Sequence, residues 1–183
     1  IEVDFTRADI NAVVDMEKDR VELQVNSLLI YGQYNKYSRE IPQTEWPCNK
    51  CRGSGCDECN WTGKQYQESV QELIQEPFIR ETKGIEAKFH GGGREDIDVK
   101  CFGRREFVLE VIEPLNRDID LEDLQEEVNE STDKVEVFDL RWAGKDEIAE
   151  IKQKHADKTY EAIVETGEAV EDSDLDKLEK LET

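Results

Sequence analysis

Hydrophobic and polar positions change period several times along the chain, and each change marks an expected element. Val21, Leu23 and Val25 alternate with polar residues in a run that reaches Tyr31 and stops at Gly32, the pattern of a half-buried strand. Residues 1–5 read as another strand, and the two look like the end of a first domain. Residues 69–74 read as a short strand or extended link. The pattern then predicts strand 84–90, a glycine loop, strand 106–112, helix 121–129, strand 134–142, helix 145–154 and strand 159–166. Phe107, Leu109 and Val111 interleave with Val108, Glu110 and Ile112, so that strand is expected to be central and buried on both faces. Leu121, Leu124 and Val128 fall at helical spacing on one face, with Asp120 placed to cap the helix. The fold class is α+β.

Composition and charge narrow the class. No run of eighteen apolar residues and no signal-peptide pattern occurs, while 37% hydrophobic residues suffice for a core. The expectation is a soluble, cytoplasmic chain with no membrane partner and no obligate protein partner. A formal charge of -21 argues against a nucleic-acid partner on its face. Its distribution matters more: residues 118–183 hold 23 acidic and 8 basic residues, whereas residues 84–117 hold 7 and 6. Such acidity suits a cytoplasm rich in potassium salt, where at about 1 M the Debye length is about 3 Å. A halophilic archaeon is the expected source, although Glu outnumbers Asp by 28 to 17.

Cys48, Cys51, Cys56 and Cys59 form C-x2-C-x4-C-x2-C, two tight chelating pairs with Gly53 and Gly55 between them. Four thiolates favour one zinc ion, and a closed shell of four ligands makes that site structural. An iron-sulfur cluster is the other metal reading, and disulfides fit poorly without a secretion signal. Cys48 to Gly55 also matches one unit of a chaperone-type cysteine-rich zinc module, without the further repeats such a module carries.

Gly91, Gly92 and Gly93 precede Arg94, Glu95 and Asp96 in the string FHGGGREDIDV. Glycines permit a tight turn or close approach of a substrate, and the arginine can hold a carboxylate ionised. A catalytic loop with Asp96 as the working group is the functional reading, and a hairpin turn with solvated charges is the plain one. His90 is read as a group that orients Asp96 or the substrate, or as a satisfied core or loop histidine, Cys101 as a small buried residue, and His155 as a solvated helix end.

The string YNKYSREIPQTEWPC (residues 34–48), the cysteine segment to Ile74, FHGGGREDIDV, FVLEVIEP (residues 107–114) and KTYEAIV (residues 158–164) together resemble the archaeal and eukaryal tRNA pseudouridine synthases acting at positions 54 and 55 of the T arm. That resemblance implies Asp96 as the catalytic aspartate, with Asp98 the alternative carboxylate. It places Tyr160 in the active site, suited to stacking on a flipped base, and Arg94 as a substrate-binding residue or a structural salt-bridge partner. Lys50, Arg52 and Lys64 become candidate phosphate contacts. It implies tRNA as partner and no organic cofactor. The family's G-x-G-R-P-F string is replaced by Gly103-Arg104-Arg105-Glu106-Phe107, one residue shorter and without the proline. The implied organisation is the C-terminal part of a THUMP-type accessory RNA-binding domain over residues 1–45, a zinc module over 46–68, and the first half of a mixed-sheet synthase domain over 69–183. The chain is thus expected to be a fragment, folded only in part and inactive alone. A non-catalytic, zinc-stapled RNA-binding adaptor is the competing function.

Overall fold

The computed structural model describes residues 8–154, 157–167 and 169–171. Strands β1 (Ile10–Asp15) and β2 (Arg20–Val25) form an antiparallel hairpin, and β3 (Leu28–Lys36) follows after two residues. The cysteine segment comes next, then α1 (Val70–Thr82), β4 (Glu86–Gly91), β5 (Cys101–Ile112), α2 (Leu121–Ser131), β6 (Val135–Trp142) and α3 (Lys145–Gln153). Four strands make one sheet in the order β4-β5-β3-β6, antiparallel at each junction. Among the described residues the sheet is therefore antiparallel, not mixed as expected.

Helices α1 and α2 cover one face. Val70, Ile74 and Phe78 of α1 and Leu124 and Val128 of α2 pack on Leu28, Ile30, Phe107, Leu109 and Val111. The opposite face is smaller, with Ile148 and Ile151 of α3 against Leu29 and Val108. Strand β5 is buried on both faces from Phe107 to Leu109, as its pattern requires.

Several elements differ from the expectation. The run through Val21 to Tyr31 is two strands in two sheets, and β3 passes straight through Gly32 to Lys36. Gly32 is a packing position: a Cβ there would lie 2.5 Å from Leu140 Cδ2 and 2.8 Å from a Phe107 ring carbon. Strand β3 sits between β5 and β6, so the four-stranded sheet joins residues on both sides of position 45. Residues 69–74 begin a helix: Ser69 Oγ accepts the Glu72 N–H at 3.2 Å, and Val70, Ile74 and Phe78 recur every four residues on the buried side. Residues 159–166 form no strand and are exposed. The expected strand 1–5 and His155 lie outside the described residues. No described helix is long and apolar enough to cross a membrane.

Candidate active site and metal centre

Strand β4 ends in the glycine loop, which turns tightly at Gly93, where φ is +88°. Gly92 N–H donates to Glu106 O at 2.8 Å, and a Cβ on Gly91 would sit 3.0 Å from Gln43 Nε2. Two adjacent acids then point in opposite directions. Glu95 turns inward and is 6% exposed, whereas Asp96 faces solvent. Tyr34 OH lies 2.8 and 2.9 Å from the two Glu95 oxygens, and Arg105 Nε is 2.9 Å from Oε2. Gln43 Nε2 donates to Gly93 O at 2.9 Å, and Arg105 Nη1 donates to Gly92 O at 3.2 Å. Each end of the loop is thus tied to a buried polar frame on β3 and β5.

Lys36 completes that frame from β3. Its side chain is fully buried, and Nζ donates to the carbonyls of Ile41 at 3.1 Å, Asp96 at 2.9 Å and Ile97 at 2.9 Å. Three ammonium protons meet three carbonyls, which satisfies the cation without a carboxylate contact. Burial lowers the Lys36 pKa, opposed by Glu95. Burial and then the Glu95 charge raise Tyr34 well above an ordinary phenol, so it stays a neutral donor. Burial alone would lower Arg105, but Glu95 reverses the sign and holds the guanidinium charged.

Asp96 and Arg94 line a cleft of about 640 Å³ together with Pro42, Trp46 and Tyr66. Among the described residues Arg94 has no salt-bridge partner; its guanidinium carbon lies 4.9 Å from the Trp46 ring centre, and Trp46 meets Tyr66 edge to face at 5.7 Å. Tyr160 is 68% exposed and lines a different cleft, of about 910 Å³, so the two expected site residues are not brought into one cavity. Glu95 and Asp98 line both clefts. His90 is turned away from Asp96 and pairs with Glu110 at 2.9 Å. Cys101 begins β5, half-buried, in the larger cleft. The frame residues Tyr34, Lys36, Gln43, Glu95 and Arg105 were not singled out from the sequence. The available signal was polar side chains at Tyr34 and Lys36, positions that continue the inward face of Leu28 and Ile30.

The four cysteine sulfurs lie within 4.8 Å of one another. Cys48–Cys56, Cys51–Cys59 and Cys56–Cys59 are separated by 3.9, 3.8 and 3.7 Å. A tetrahedral zinc with bonds of about 2.3 Å requires sulfurs about 3.8 Å apart, whereas a disulfide requires about 2.05 Å. The donor set therefore fits one metal ion. Gly55 N–H donates to Cys51 Sγ at 3.2 Å, and Cys56 and Gly63 N–H groups donate to Cys59 Sγ at 3.2 and 3.3 Å. Burial pushes the Cys59 thiol up, but those amides and the neighbouring thiols outweigh it and bring it to about 6, which favours the ligating thiolate. The module closes through Cys48 N–H to Gly63 O at 2.7 Å and Gln65 N–H to Trp46 O at 2.9 Å. Gly63 is obligatory there, because its Cβ would fall 2.5 Å from Gly53 O. Of the three candidate phosphate contacts, Lys50 pairs with Glu58 and Lys64 with Glu72, while Arg52 has no ion-pair partner among the described residues.

A family described as "Pus10, C-terminal" matches residues 29–183, beginning one residue into β3. Curated relatives include tRNA pseudouridine synthase Pus10 of Methanothermobacter marburgensis, 48% identical over 98% of this chain and 46% of its own length. That of Methanocaldococcus jannaschii is 47% identical over 94% of this chain and 38% of its own length. That of Halorubrum lacusprofundi is 43% identical over 89% and 40%. The chain spans less than half the length of these relatives. With the family matched across all but the first residue of the four-stranded sheet and across the cysteine module, the chain belongs to the Pus10 family, to its C-terminal part.

Proposed function

We propose that this chain is the part of a tRNA pseudouridine synthase that carries the catalytic aspartate, Asp96, and that the full-length protein isomerises uridine at position 54, 55 or both in the T arm. The name carried by the relatives supports the reaction class. The observation that carries the site is the contrast between neighbours: Glu95 is locked to Tyr34 and Arg105, and Lys36 grips the Asp96 carbonyl, so the Asp96 carboxylate projects from a rigid support. Precise placement of a reacting group is what such catalysis needs.

The isomerisation breaks the bond between uracil N1 and ribose C1′, turns the base, and joins C5 to the same carbon. The proton lost from C5 is balanced by one gained at N1, so no redox cofactor is required. Asp96 acts either by attack on C1′ or by taking the C2′ proton. The target base must leave its stack to reach Asp96, and in this reading Tyr160, exposed in the neighbouring larger cleft, stacks on the extruded base. Cys48, Cys51, Cys56 and Cys59 hold a structural zinc ion in this reading. The hairpin of β1 and β2 belongs to a THUMP-type accessory domain, while β3 joins the synthase domain. The excess of acidic residues after residue 118 fits work in a saline cytoplasm of a halophilic archaeon.

The test is position-resolved pseudouridine mapping on a tRNA transcript incubated with the full-length protein, alongside transcripts bearing cytidine at position 54 or 55. Pseudouridine at one or both positions, lost from whichever is replaced, is the expected result. Tight tRNA binding without any pseudouridine would favour the non-catalytic adaptor.

A further inference from the structure

The smaller cleft contains three planar groups that the reaction just described does not use. Trp46 and Tyr66 belong to the two closing arms of the cysteine module, held side by side by Gln65 N–H to Trp46 O. Arg94 reaches across from the glycine loop and lays its guanidinium over the Trp46 ring. The result is a contiguous cluster, with Tyr66 edge-on to Trp46 and Arg94 over the Trp46 face, in which Trp46 and Tyr66 are half-buried and Arg94 is exposed at the open end. Asp96 and Asp98 edge the same cleft, and Tyr160 lies in the neighbouring one.

We infer that Tyr66, Trp46 and Arg94 form a stacking platform for one unpaired nucleobase of the RNA, a neighbour of the uridine whose ribose sits at Asp96. This inference rests on the synthase reading for the placement of that ribose. A nucleobase is the occupant because the site offers flat faces and a guanidinium plane, the surfaces on which unpaired bases stack. A phosphate is disfavoured, since Asp96 and Asp98 flank the single cation Arg94. A protein side chain is disfavoured because the cleft opens at the carboxylate proposed to meet RNA. Glu95 and Asp98, which line both clefts, then mark a divider between them: the target base turns toward Tyr160 and its neighbour stays on Arg94. The metal module contributes Trp46 and Tyr66 to substrate binding through the closure of its two arms.

The experiment measures binding of the full-length protein, metal-loaded, to a T-arm stem-loop RNA, and to the same RNA with an abasic nucleotide at each neighbour of the target. Trp46→Leu removes the middle of the cluster. Arg94→Lys keeps the charge but loses the plane, at an exposed position where folding is not at stake, and Trp46→Tyr keeps a ring. Trp46→Leu and Arg94→Lys should each weaken binding about 5- to 150-fold, the range of one base stacked on an aromatic or guanidinium plane. The loss should be equal at low and high salt, because no phosphate contact is removed. An abasic nucleotide at one neighbour should cost the wild type a similar factor and the variants nothing more, and Trp46→Tyr should restore most of the affinity. Wild-type affinity in Arg94→Lys, a changed salt slope, or losses that multiply with the abasic substitution at every neighbour would each overturn the platform. Pseudouridine formation is scored on the same samples: product with no stacking loss rejects the platform and keeps the synthase reading, stacking loss without product does the reverse, and no RNA binding rejects both.

Discussion

Replacing Glu95 by glutamine keeps the shape of the side chain and removes the carboxylate that Arg105 faces. Both members of the pair are buried, with 3% and 13% of their side chains exposed, at 2.9 Å. Removing one partner of a buried pair leaves the other charge uncompensated and costs about 3–5 kcal/mol. Arg105 keeps its bond to Gly92 O, so the lower end, about 3 kcal/mol, applies. The new amide also points two protons at a site already filled by donors from Tyr34 and Gln43. With a urea slope of about 2 kcal/mol per molar, the midpoint should fall by about 1.5 M. The assay is urea unfolding of the 183-residue chain loaded with metal, followed by circular dichroism. Adding Arg105→Met to Glu95→Gln removes the stranded cation and should recover more than half of the loss, a coupling that a double-mutant cycle isolates. A Glu95→Gln midpoint within about 0.3 M of wild type, or a double variant no more stable than the single, would refute the frame as described.

Other outcomes follow from individual contacts. Gly32→Ala should destabilise by about 1–3 kcal/mol in the same assay, because its Cβ would overlap Leu140 and Phe107. Metal removal by a chelator should release four thiols to a thiol reagent and raise amide exchange from Trp46 to Gln65, while β3 and β5 stay protected. The Lys154 hydrogen bond, with Tyr31, holds the Glu106 carboxyl below its usual value of 4.5, so this contact adds stability above that pH and loses it as the pH falls through the depressed value. Lys154→Met should therefore flatten the acid limb of the stability profile only slightly, since Lys154 is largely exposed.

What the sequence made legible is what depends on local pattern. Asp120 caps α2 through bonds to the Glu122 and Asp123 amides, and the cysteine spacing produces the quartet as expected. Strand β3 was cut short because a glycine reads as a stop, whereas Gly32 is there to admit Phe107 and Leu140 from other strands. Helix α1 was missed whole, because residues 69–74 read alone are too few to separate a period of 3.6 from an extended link. At the site, Asp96 was legible on its loop, but nothing local distinguishes which of two adjacent acids turns inward. That choice is made by Tyr34 and Arg105, 61 and 10 residues away. The stacked arrangement of Arg94 was hidden for the same reason: Trp46 reaches it only after the cysteine module has closed.

The most direct test compares the full-length protein with its Asp96→Ala and Asp98→Ala variants in single-turnover pseudouridine formation on a tRNA transcript, at molar potassium chloride. Asp96 is exposed and its side chain holds up no part of the frame, so Asp96→Ala should unfold within about 0.5 kcal/mol of wild type. The account predicts no product with Asp96→Ala and retained product with Asp98→Ala. Product with Asp96→Ala, from a protein folded as the wild type, would contradict it and move the chemistry to another carboxylate.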